Sequence, residues 1–317
     1  MIPKIDRYRG AMVGLAVGDA FGVSLEFMPP GSFITVTEIT GGGPFGLKEG
    51  EWTDDTSMAL CIAASLLECG NFDAKDQMER FVNWRENGYM SSRGEGSRCV
   101  DIGNTTTSSL DRFLESGDPY SGPTEHSTSG NGSIMRLAPV PLFYGGDALD
   151  TFAFAGQSSR TTHGSDACID ACRYMATIIN GAINGIVKEK LLSSDLMKDI
   201  ELMPEIRMVA DGSFKEKEPP EIRGTGYVVE SLEAALWAFH NFDTFEEGLI
   251  AAVNLGDDAD TTGAVYGQIA GAYYGVDEIP ERWLEKIVDL DGIEYIAEGL
   301  YDAAVEKYGE EYDNYNE

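Results

Sequence analysis

Positive charge is scarce in this sequence. Only 23 of the 317 residues are Lys or Arg, against 54 Asp and Glu, so the formal net charge at pH 7 is −31. A field of this sign repels phosphate backbones and anionic lipid surfaces at long range. We therefore expect neither nucleic acid nor a membrane among the partners, and we expect most of the acidic excess on a solvated surface.

Histidine and paired cysteine, the usual zinc ligands, are also scarce. There are three histidines and five cysteines, and no CxxC pair occurs. Cys168 and Cys172 stand about one helical turn apart, but no second pair completes a zinc site. The pattern predicts buried free thiols in a reducing compartment.

The sequence shows neither the basic, apolar and small-residue layout of a signal peptide nor an uninterrupted membrane span. The apolar stretch "GAMVGLAVGDAFGVSLEFM" contains Asp19 and Glu26, each of which would be costly in lipid. The sequence contains no P-loop and no Rossmann fingerprint. It also contains no Gly-x-Ser-x-Gly turn, so nucleophilic serine or cysteine catalysis has no support from the sequence. These absences predict a cytoplasmic protein, which we expect to be a monomer.

Strand patterns are few, and helical patterns dominate. The best strand candidate is "SFITVTEIT" at 32–40, and the segments 91–109 and 211–226 read as loops. We therefore predict one all-α domain over 1–317, an orthogonal helix bundle with long active-site loops, a core at about 8–285 and a solvated acidic tail at about 308–317. Four helices are predicted at 53–69, 165–183, 228–242 and 261–275.

A fifth helix is marked by glycine. Gly10, Gly14, Gly18 and Gly22 recur every fourth residue and form a bare stripe that lets another helix approach closely. Asp19 and Glu26 are seven residues apart, so they share another face if the helix continues that far.

Two acidic clusters, about 200 residues apart, each open a predicted helix. One is "EWTDDTSMAL" at 51–60 and the other is "NLGDDADTTGA" at 254–264, and the second has no basic neighbour in sequence. Asp and Thr are good helix caps, but a cap needs one such residue and each cluster supplies at least four. A metal site therefore explains the pair better than capping does.

The ligand type restricts the metal. Carboxylate and hydroxyl oxygens suit Mg²⁺, Mn²⁺ or Ca²⁺ and not Zn²⁺. An EF-hand fails, because the twelfth position counted from Asp258 is Ile269, where a glutamate is required. Carboxylates from two distant segments can instead hold two hard cations side by side, at the starts of two helices.

Six ordered motifs together resemble the ADP-ribosylglycohydrolase family, which includes the dinitrogenase reductase-activating glycohydrolase. They are "GLAVGDAFGVSLEF", "EWTDDTSMAL", "DIGNTT", "GNGSIMRLAP", "TTHGSDAC" and "GYVVESLEAALWAF" followed by "NLGDDADTTGA". The resemblance covers about residues 8–285. It implies a compact all-α domain with two Mg²⁺ or Mn²⁺ ions that hydrolyses the bond between ADP-ribose and a protein side chain or small acceptor.

The resemblance also implies the metal ligands, which share an oxygen-bearing side chain and a place in one of the two acidic clusters. They are Thr53, Asp54, Asp55, Asp258, Asp260 and Thr261. Asp257 stands where many relatives have glycine, so we expect it outside the ligand set. Asp19 either points toward the site or only holds the Thr53 segment in place.

Two carboxylates are candidates for proton transfer. Glu26 matches a family glutamate near the reacting ribose, and Asp101 matches the proposed general base of the nitrogenase-regulating branch. Either could move a proton, and the sequence does not decide between them.

Substrate contacts are expected on the remaining motifs. By the same resemblance, Asn104 and His163 contact the ligand and Tyr227 packs against it. The backbone of the glycine loop at Gly130, Gly132 and Ser133 could approach phosphate oxygens closely.

The favoured function is hydrolysis of ADP-ribose from a modified protein side chain, with arginine as the expected acceptor. We expect the loops at 85–100, which include Glu95, and at 211–226 to select the acceptor. Two alternatives stay open: hydrolysis of another small ribosyl or nucleotide substrate, and a non-catalytic ADP-ribose-binding protein on the same scaffold. The partner is then an ADP-ribosylated protein or a small ADP-ribosyl molecule.

Overall fold

The structure is a computed structural model that describes residues 2–309 and Tyr312. Within these residues the chain forms α-helices and short 3-10 turns around one large apolar core, with a small second cluster at Val23, Leu47 and Val100, and it contains only isolated β-bridges in place of strands. This agrees with the predicted all-α domain. The α-helices are Lys4–Gly22 (α1), Asp54–Cys69 (α2), Ala74–Asn87 (α3), Asn104–Ser116 (α4), Pro139–Phe143 (α5), Ala148–Thr162 (α6), Asp166–Ile183 (α7), Lys188–Leu191 (α8), Pro204–Ala210 (α9), Val228–Asn241 (α10), Phe245–Val253 (α11), Ala259–Tyr274 (α12), Glu281–Leu284 (α13) and Leu290–Tyr308 (α14). The 3-10 turns are His126–Thr128, Ser194–Met197, Ser213–Lys215 and Val276–Glu278.

The centre of the fold is an antiparallel contact between α1 and α12. A Cβ atom added to Gly10, Gly14 or Gly18 would overlap the backbone of Gly271, Gly267 or Gly263, respectively. The glycine stripe therefore has the role expected of it, because only bare backbone lets the two helices lie so close. At the end of α1, Gly22 lies against Asp260 in the same way, which brings the turn after α1 beside the first turn of α12.

The five predicted helices correspond to α1, α2, α7, α10 and α12, with ends that differ by a few residues. Gly70 stops α2 in the left-handed conformation, with φ of 66°. The Ser165 side chain caps α7 by accepting a hydrogen bond from the Cys168 backbone N–H. Local capping signals of this kind explain why these helices were readable from the sequence.

The predicted strand at 32–40 is wrong. The segment is an irregular loop, and its main stabilising partner is a side chain: Asn254 bonds both the N–H and the C=O of Val36, each at 2.8 Å. The described part of the chain offers no neighbouring strand, so this alternating segment has no partner for β-ladder hydrogen bonds.

Two further boundaries need correction. α1 ends at Gly22, so Glu26 lies in the following turn and does not share a helix face with Asp19. The segment 91–109 is a loop only as far as Gly103, because α4 begins at Asn104. Its helical part, which starts "NTTTSS", lacks an apolar pattern, so the sequence alone predicts a loop there.

The cysteines and the termini add three observations. All five cysteines are free, but Cys69 is exposed and Cys99 is half-buried, so the expectation of burial was wrong for these two. No helix in the described part of the chain is long and apolar enough to cross a bilayer. The acidic tail predicted at 308–317 lies outside the described residues apart from Tyr308, Gly309 and Tyr312. The hydroxyl of Tyr312 lies 2.6 Å from that of Tyr8.

Candidate metal centre and active site

Acidic side chains from four segments converge at one end of the α1–α12 pair. The turn after α1 brings Glu26, the loop before α4 brings Asp101, and the first turn of α12 brings Asp260. One carboxylate oxygen from each of these residues lies within 4.8 Å of the others. The start of α2 adds Asp54 and Asp55, so the fold unites the two clusters that are distant in sequence.

Asp19 organises the start of α2 from behind. Its carboxylate accepts hydrogen bonds from the backbone N–H of Thr53 at 2.9 Å and of Thr56 at 3.1 Å, and from their hydroxyls at 2.9 and 2.7 Å. Burial raises the pKa of Asp19 to about 6, although these hydrogen bonds oppose the shift. Of the two roles left open for Asp19, the structure supports holding the Thr53 segment.

The acidic clusters are not explained as helix caps. Thr53 and Asp258 occupy the N-cap positions of α2 and α12, yet neither side chain accepts a hydrogen bond from its own helix. Glu26 Oε2 and Asp55 Oδ2 are buried and have no hydrogen-bond partner within the described residues. A buried, unpartnered carboxylate oxygen is costly, and a bound cation would remove that cost.

The electrostatics of the cluster support the same interpretation. Burial raises the pKa of Asp54, Asp55 and Asp260 well above the usual aspartate value, and neighbouring carboxylates add to each shift. Such a set of hard oxygen donors fits a divalent cation of the magnesium type.

The two clusters are joined directly and through the glycine loop. Thr261 Oγ1 donates to Asp55 Oδ1 at 3.4 Å, and Asn131 Nδ2 donates to Asp258 Oδ2 at 2.8 Å. Asp257 turns away in the left-handed conformation, with φ of 55°, and pairs with Arg223 at 3.4 Å. The acidic segment therefore has a basic neighbour in space, although it has none in sequence.

A cavity of about 350 Å³ opens over the acids. The predicted site residues that line it come from all six motifs, although Tyr227 is not among them; they are Glu26, Asp54, Asp101, Asn104, Gly130, Gly132, His163, Asp258 and Thr261. The other predicted residues in these segments, Thr53, Asp55, Asp260 and Ser133, are buried and do not contribute to the lining. For Ser133, this leaves the expected phosphate contact unsupported.

A second cavity, of about 500 Å³, continues from the first. The two share Thr105, Gly130 and Gly226, and Tyr227 and His126 line only the second one. The ring centroids of Tyr227 and His126 are 6.1 Å apart. The predicted ligand-packing tyrosine is thus in the neighbouring compartment and not beside the acids.

His163 forms a neutral wall of the first cavity. Burial, with a further contribution from the Arg136 charge, lowers its pKa to about 3, and its Nδ1 lies 2.8 Å from the Thr162 hydroxyl. A Cβ added at Gly132 would lie 2.7 Å from the His163 ring. Glycine at this position lets the loop lie against the imidazole.

Glu26 and Asp101 have different surroundings. Burial, with the charges of Asp101 and Asp258, raises the pKa of Glu26 to about 9. Burial also raises the pKa of Asp101, while a hydrogen bond to Glu26 opposes that shift. Two neighbouring carboxyls with different surroundings can divide acid and base roles between them.

Sequence reasoning missed several lining residues. Asn131 lies inside the quoted glycine motif but was not singled out, and its amide gave the only available signal. The others are glycines, threonines and apolar residues that carry no chemical pattern; they are Phe27, Gly103, Thr105, Thr106, Met135 and Gly226.

The comparisons with known proteins agree with this geometry. The ADP-ribosylglycohydrolase family model matches residues 2–310. An ADP-ribosylarginine hydrolase of Serratia proteamaculans is 44% identical over 310 residues, which cover 97% of this chain and 83% of the relative. The ADP-ribosyl-dinitrogen reductase glycohydrolase of Rhodospirillum rubrum is 35% identical, covering 89% of this chain and 90% of the relative.

A solved structure described as an ADP-ribosylglycohydrolase-related protein complex has the same fold. It superimposes with a TM-score of 0.85 at 44% identity, over 95% of this chain and 99% of that one. Sequence, fold and the converging acids lead to one conclusion: the chain belongs to the ADP-ribosylglycohydrolase family.

Proposed function

We propose that this protein is a metal-dependent hydrolase that releases ADP-ribose from ADP-ribosylated arginine side chains. The observation that carries the proposal is the cavity in which two candidate proton-transfer groups, Glu26 and Asp101, meet the acidic starts of α2 and α12. Support for arginine comes from the ADP-ribosylarginine hydrolase that shares 44% of aligned residues with this chain.

The cofactor is two Mg²⁺ or Mn²⁺ ions, held by Thr53, Asp54, Asp55, Asp258, Asp260 and Thr261. The Thr53 hydroxyl donates its proton to Asp19, so its lone pairs are free for a cation. Cations bound there would polarise the ribose hydroxyls and water and would balance the carboxylate charge.

The two connected cavities accommodate the substrate. The ribose that loses its substituent lies over the acids, where Asn104 and His163 line the wall. The pyrophosphate passes the shared residues Gly130 and Gly226, whose bare backbone permits close approach. The remainder of the nucleotide enters the compartment of Tyr227.

The reaction breaks the bond between ribose C1 and the guanidinium nitrogen and forms a bond from C1 to water oxygen. One carboxyl group gives a proton to the departing nitrogen, and a carboxylate accepts one from the attacking water. The raised pKa of Glu26 suits a proton donor, and the more accessible Asp101 suits an acceptor, but the reverse assignment uses the same atoms.

The net charge of the chain supports a proposal about its location and partners. We propose a cytoplasmic monomer that acts on ADP-ribosylated proteins and binds neither nucleic acid nor membranes. A net charge of −31 supports the exclusion of both anionic partners.

The test is release of ADP-ribose from ADP-ribosylarginine, measured by chromatography with Mg²⁺, Mn²⁺ or EDTA. Metal-dependent release that disappears in Asp258→Ala/Asp260→Ala supports the proposal, and parallel assays of Glu26→Gln and Asp101→Asn assign the two roles. If no metal supports release, the arginine proposal fails. Calorimetric binding of ADP-ribose without turnover would then favour the non-catalytic alternative.

A further inference from the structure

Phe27 is an exposed aromatic residue at the rim of the acidic cavity. Its side chain follows Glu26 directly, lines the cavity and is 65% exposed. The other strongly exposed large apolar residues in the described chain, such as Ile34 at 90% and Leu149 at 82%, do not line this cavity. An aromatic ring in water contributes little to folding, so its position at the cavity requires another explanation.

The backbone at Phe27 adds to this argument. Its φ is 60°, in the left-handed region that glycine adopts without strain and that most other residues avoid. The conformation is held on both sides: the Phe27 N–H donates to Asp257 O at 2.6 Å, and the Asp257 N–H donates to Met28 O at 2.9 Å. An exposed phenylalanine in this conformation is unfavourable on two counts, and folding stability alone does not account for it.

The Phe27 ring lies outside the second cavity, where the nucleotide of the proposed substrate is placed. The second cavity joins the first through Thr105, Gly130 and Gly226, whereas Phe27 and Glu26 line only the first. A substrate whose nucleotide extends through the shared residues has its acceptor at the other end of the acidic cavity. Phe27 is the one phenylalanine, tyrosine or tryptophan that lines this cavity within the described residues, and the other ring there, that of His163, is buried.

The charge around the ring suits a cation. The described residues that line the cavity include Glu26, Asp54, Asp101 and Asp258 and no Lys or Arg. A planar guanidinium attached to the ribose would enter a negative region that offers one aromatic face. Arginine stacks on such faces more readily than other acceptors do, because its guanidinium is flat and weakly hydrated.

We propose that Phe27 recognises the acceptor side of the substrate, by stacking its ring on the guanidinium that leaves. This inference rests on the proposed arginine-directed activity and adds a specificity residue to it. Phe27 does not move a proton or hold a cation. It places the planar cation beside the ribose C1 atom while the ADP portion is held elsewhere.

The experiment compares Phe27→Ala, Phe27→Leu and Phe27→Tyr with the unaltered enzyme on ADP-ribosylarginine, at a fixed Mg²⁺ or Mn²⁺ concentration. We expect kcat/KM to fall about five- to tenfold in Phe27→Ala and Phe27→Leu and to stay within about twofold in Phe27→Tyr, as loss of one cation–π contact predicts. Ile34→Ala is the matched control, because it removes an exposed apolar side chain from the same loop, and it should match the unaltered enzyme.

Calorimetric titration with ADP-ribose supplies the second readout, and its Kd should be equal in all these proteins. Unchanged kcat/KM in Phe27→Ala, full activity in Phe27→Leu, or a parallel loss of ADP-ribose affinity would each overturn the assignment. Failure of the underlying function is a separate result, because the unaltered enzyme would then release no ADP-ribose from ADP-ribosylarginine.

Discussion

Asn131 Nδ2 lies 2.8 Å from Asp258 Oδ2 and donates a hydrogen bond to it. The Asn131 N–H in turn donates to Gly226 O at 3.1 Å, so the glycine loop, the segment before α10 and the start of α12 are tied at one point. The hydrogen bond leaves Asp258 Oδ1 for a cation and fixes the direction in which the carboxylate points. We therefore expect Asn131 to be a positioning residue for the proposed metal centre.

Replacing Asn131 with alanine should weaken divalent-cation binding by about tenfold, because loss of a hydrogen bond that orients a ligand has effects of this size. Titration calorimetry with Mn²⁺ measures the change. Asn241→Ala is the control, since its amide donates to Trp237 O, away from the site. Equal Mn²⁺ affinity in the two variants would contradict the role given to Asn131.

Replacing Gly18 with alanine should lower the free energy of unfolding by roughly 2 kcal/mol or more, because the new Cβ would overlap the Gly263 carbonyl. Urea denaturation followed by circular dichroism measures it. Gly299→Ala in α14 is the control: its Cβ would lie 3.2 Å from Leu67 Cδ1, a side-chain atom that can move. A Gly18 variant as stable as the control would show that the α1–α12 contact is less close than described.

Replacing Asp260 with asparagine should have opposite effects with and without metal. In EDTA the variant should be more stable than the unaltered protein, by about 1 kcal/mol, because burial and the charges of Glu26 and Asp55 make ionisation of Asp260 unfavourable and asparagine does not ionise. Saturating Mn²⁺ should raise the melting temperature of the unaltered protein and hardly that of the variant. Asp257 lies beside Arg223, and the Asp257→Asn variant should respond to Mn²⁺ as the unaltered protein does. If that variant lost the response, Asp257 would belong to the metal ligands.

His163 should make the protein less stable in mild acid. Its folded-state pKa is about 3, against about 6.5 when unfolded, so between these values the unfolded chain binds the extra proton. The contribution of His163 to the free energy of unfolding is thus complete above pH 6.5 and falls by up to about 1.4 kcal/mol per pH unit below it.

The check is urea denaturation at pH 7, 6 and 5 for the unaltered protein and for His163→Gln. Other titrating groups are common to both proteins, so the difference in slope reports His163 alone. Equal dependence of stability on pH in the two proteins would mean that the His163 imidazole takes up its proton in the folded state as readily as in the unfolded state.

Much of the site was readable from the sequence because its chemistry is concentrated in short motifs. Asp54, Asp101 and Asp258 carry charge in glycine- and threonine-rich contexts, and the structure places all three in one cavity. The helices were readable where caps and stops mark them, as at Ser165 and Gly70. The glycine stripe on α1 predicted a close helix contact but could not name α12 as the partner.

What could not be predicted depends on contacts made across the fold. Val36 reads as part of a strand until Asn254 is seen to bond both of its backbone groups. Phe27 reads as one more apolar residue in an apolar helix until that helix ends at Gly22 and leaves the ring at the rim. Arg223 is remote in sequence from Asp257 and pairs with it only when the chain is folded.

The partnership of α1 with α12 also determines when the enzyme can become active during its synthesis. α1 leaves the ribosome well before α12, and the glycine face of its apolar part, from Gly10 to Gly22, has no partner until the residues around Gly263 have emerged. Contacts between such distant segments form late, and the exposed apolar surface is in the meantime a target for chaperones. A nascent chain that stops short of Asp258 carries Asp54 and Asp55 but neither Asp258 nor Asp260, so loading of the proposed metal ions waits until the start of α12 has emerged.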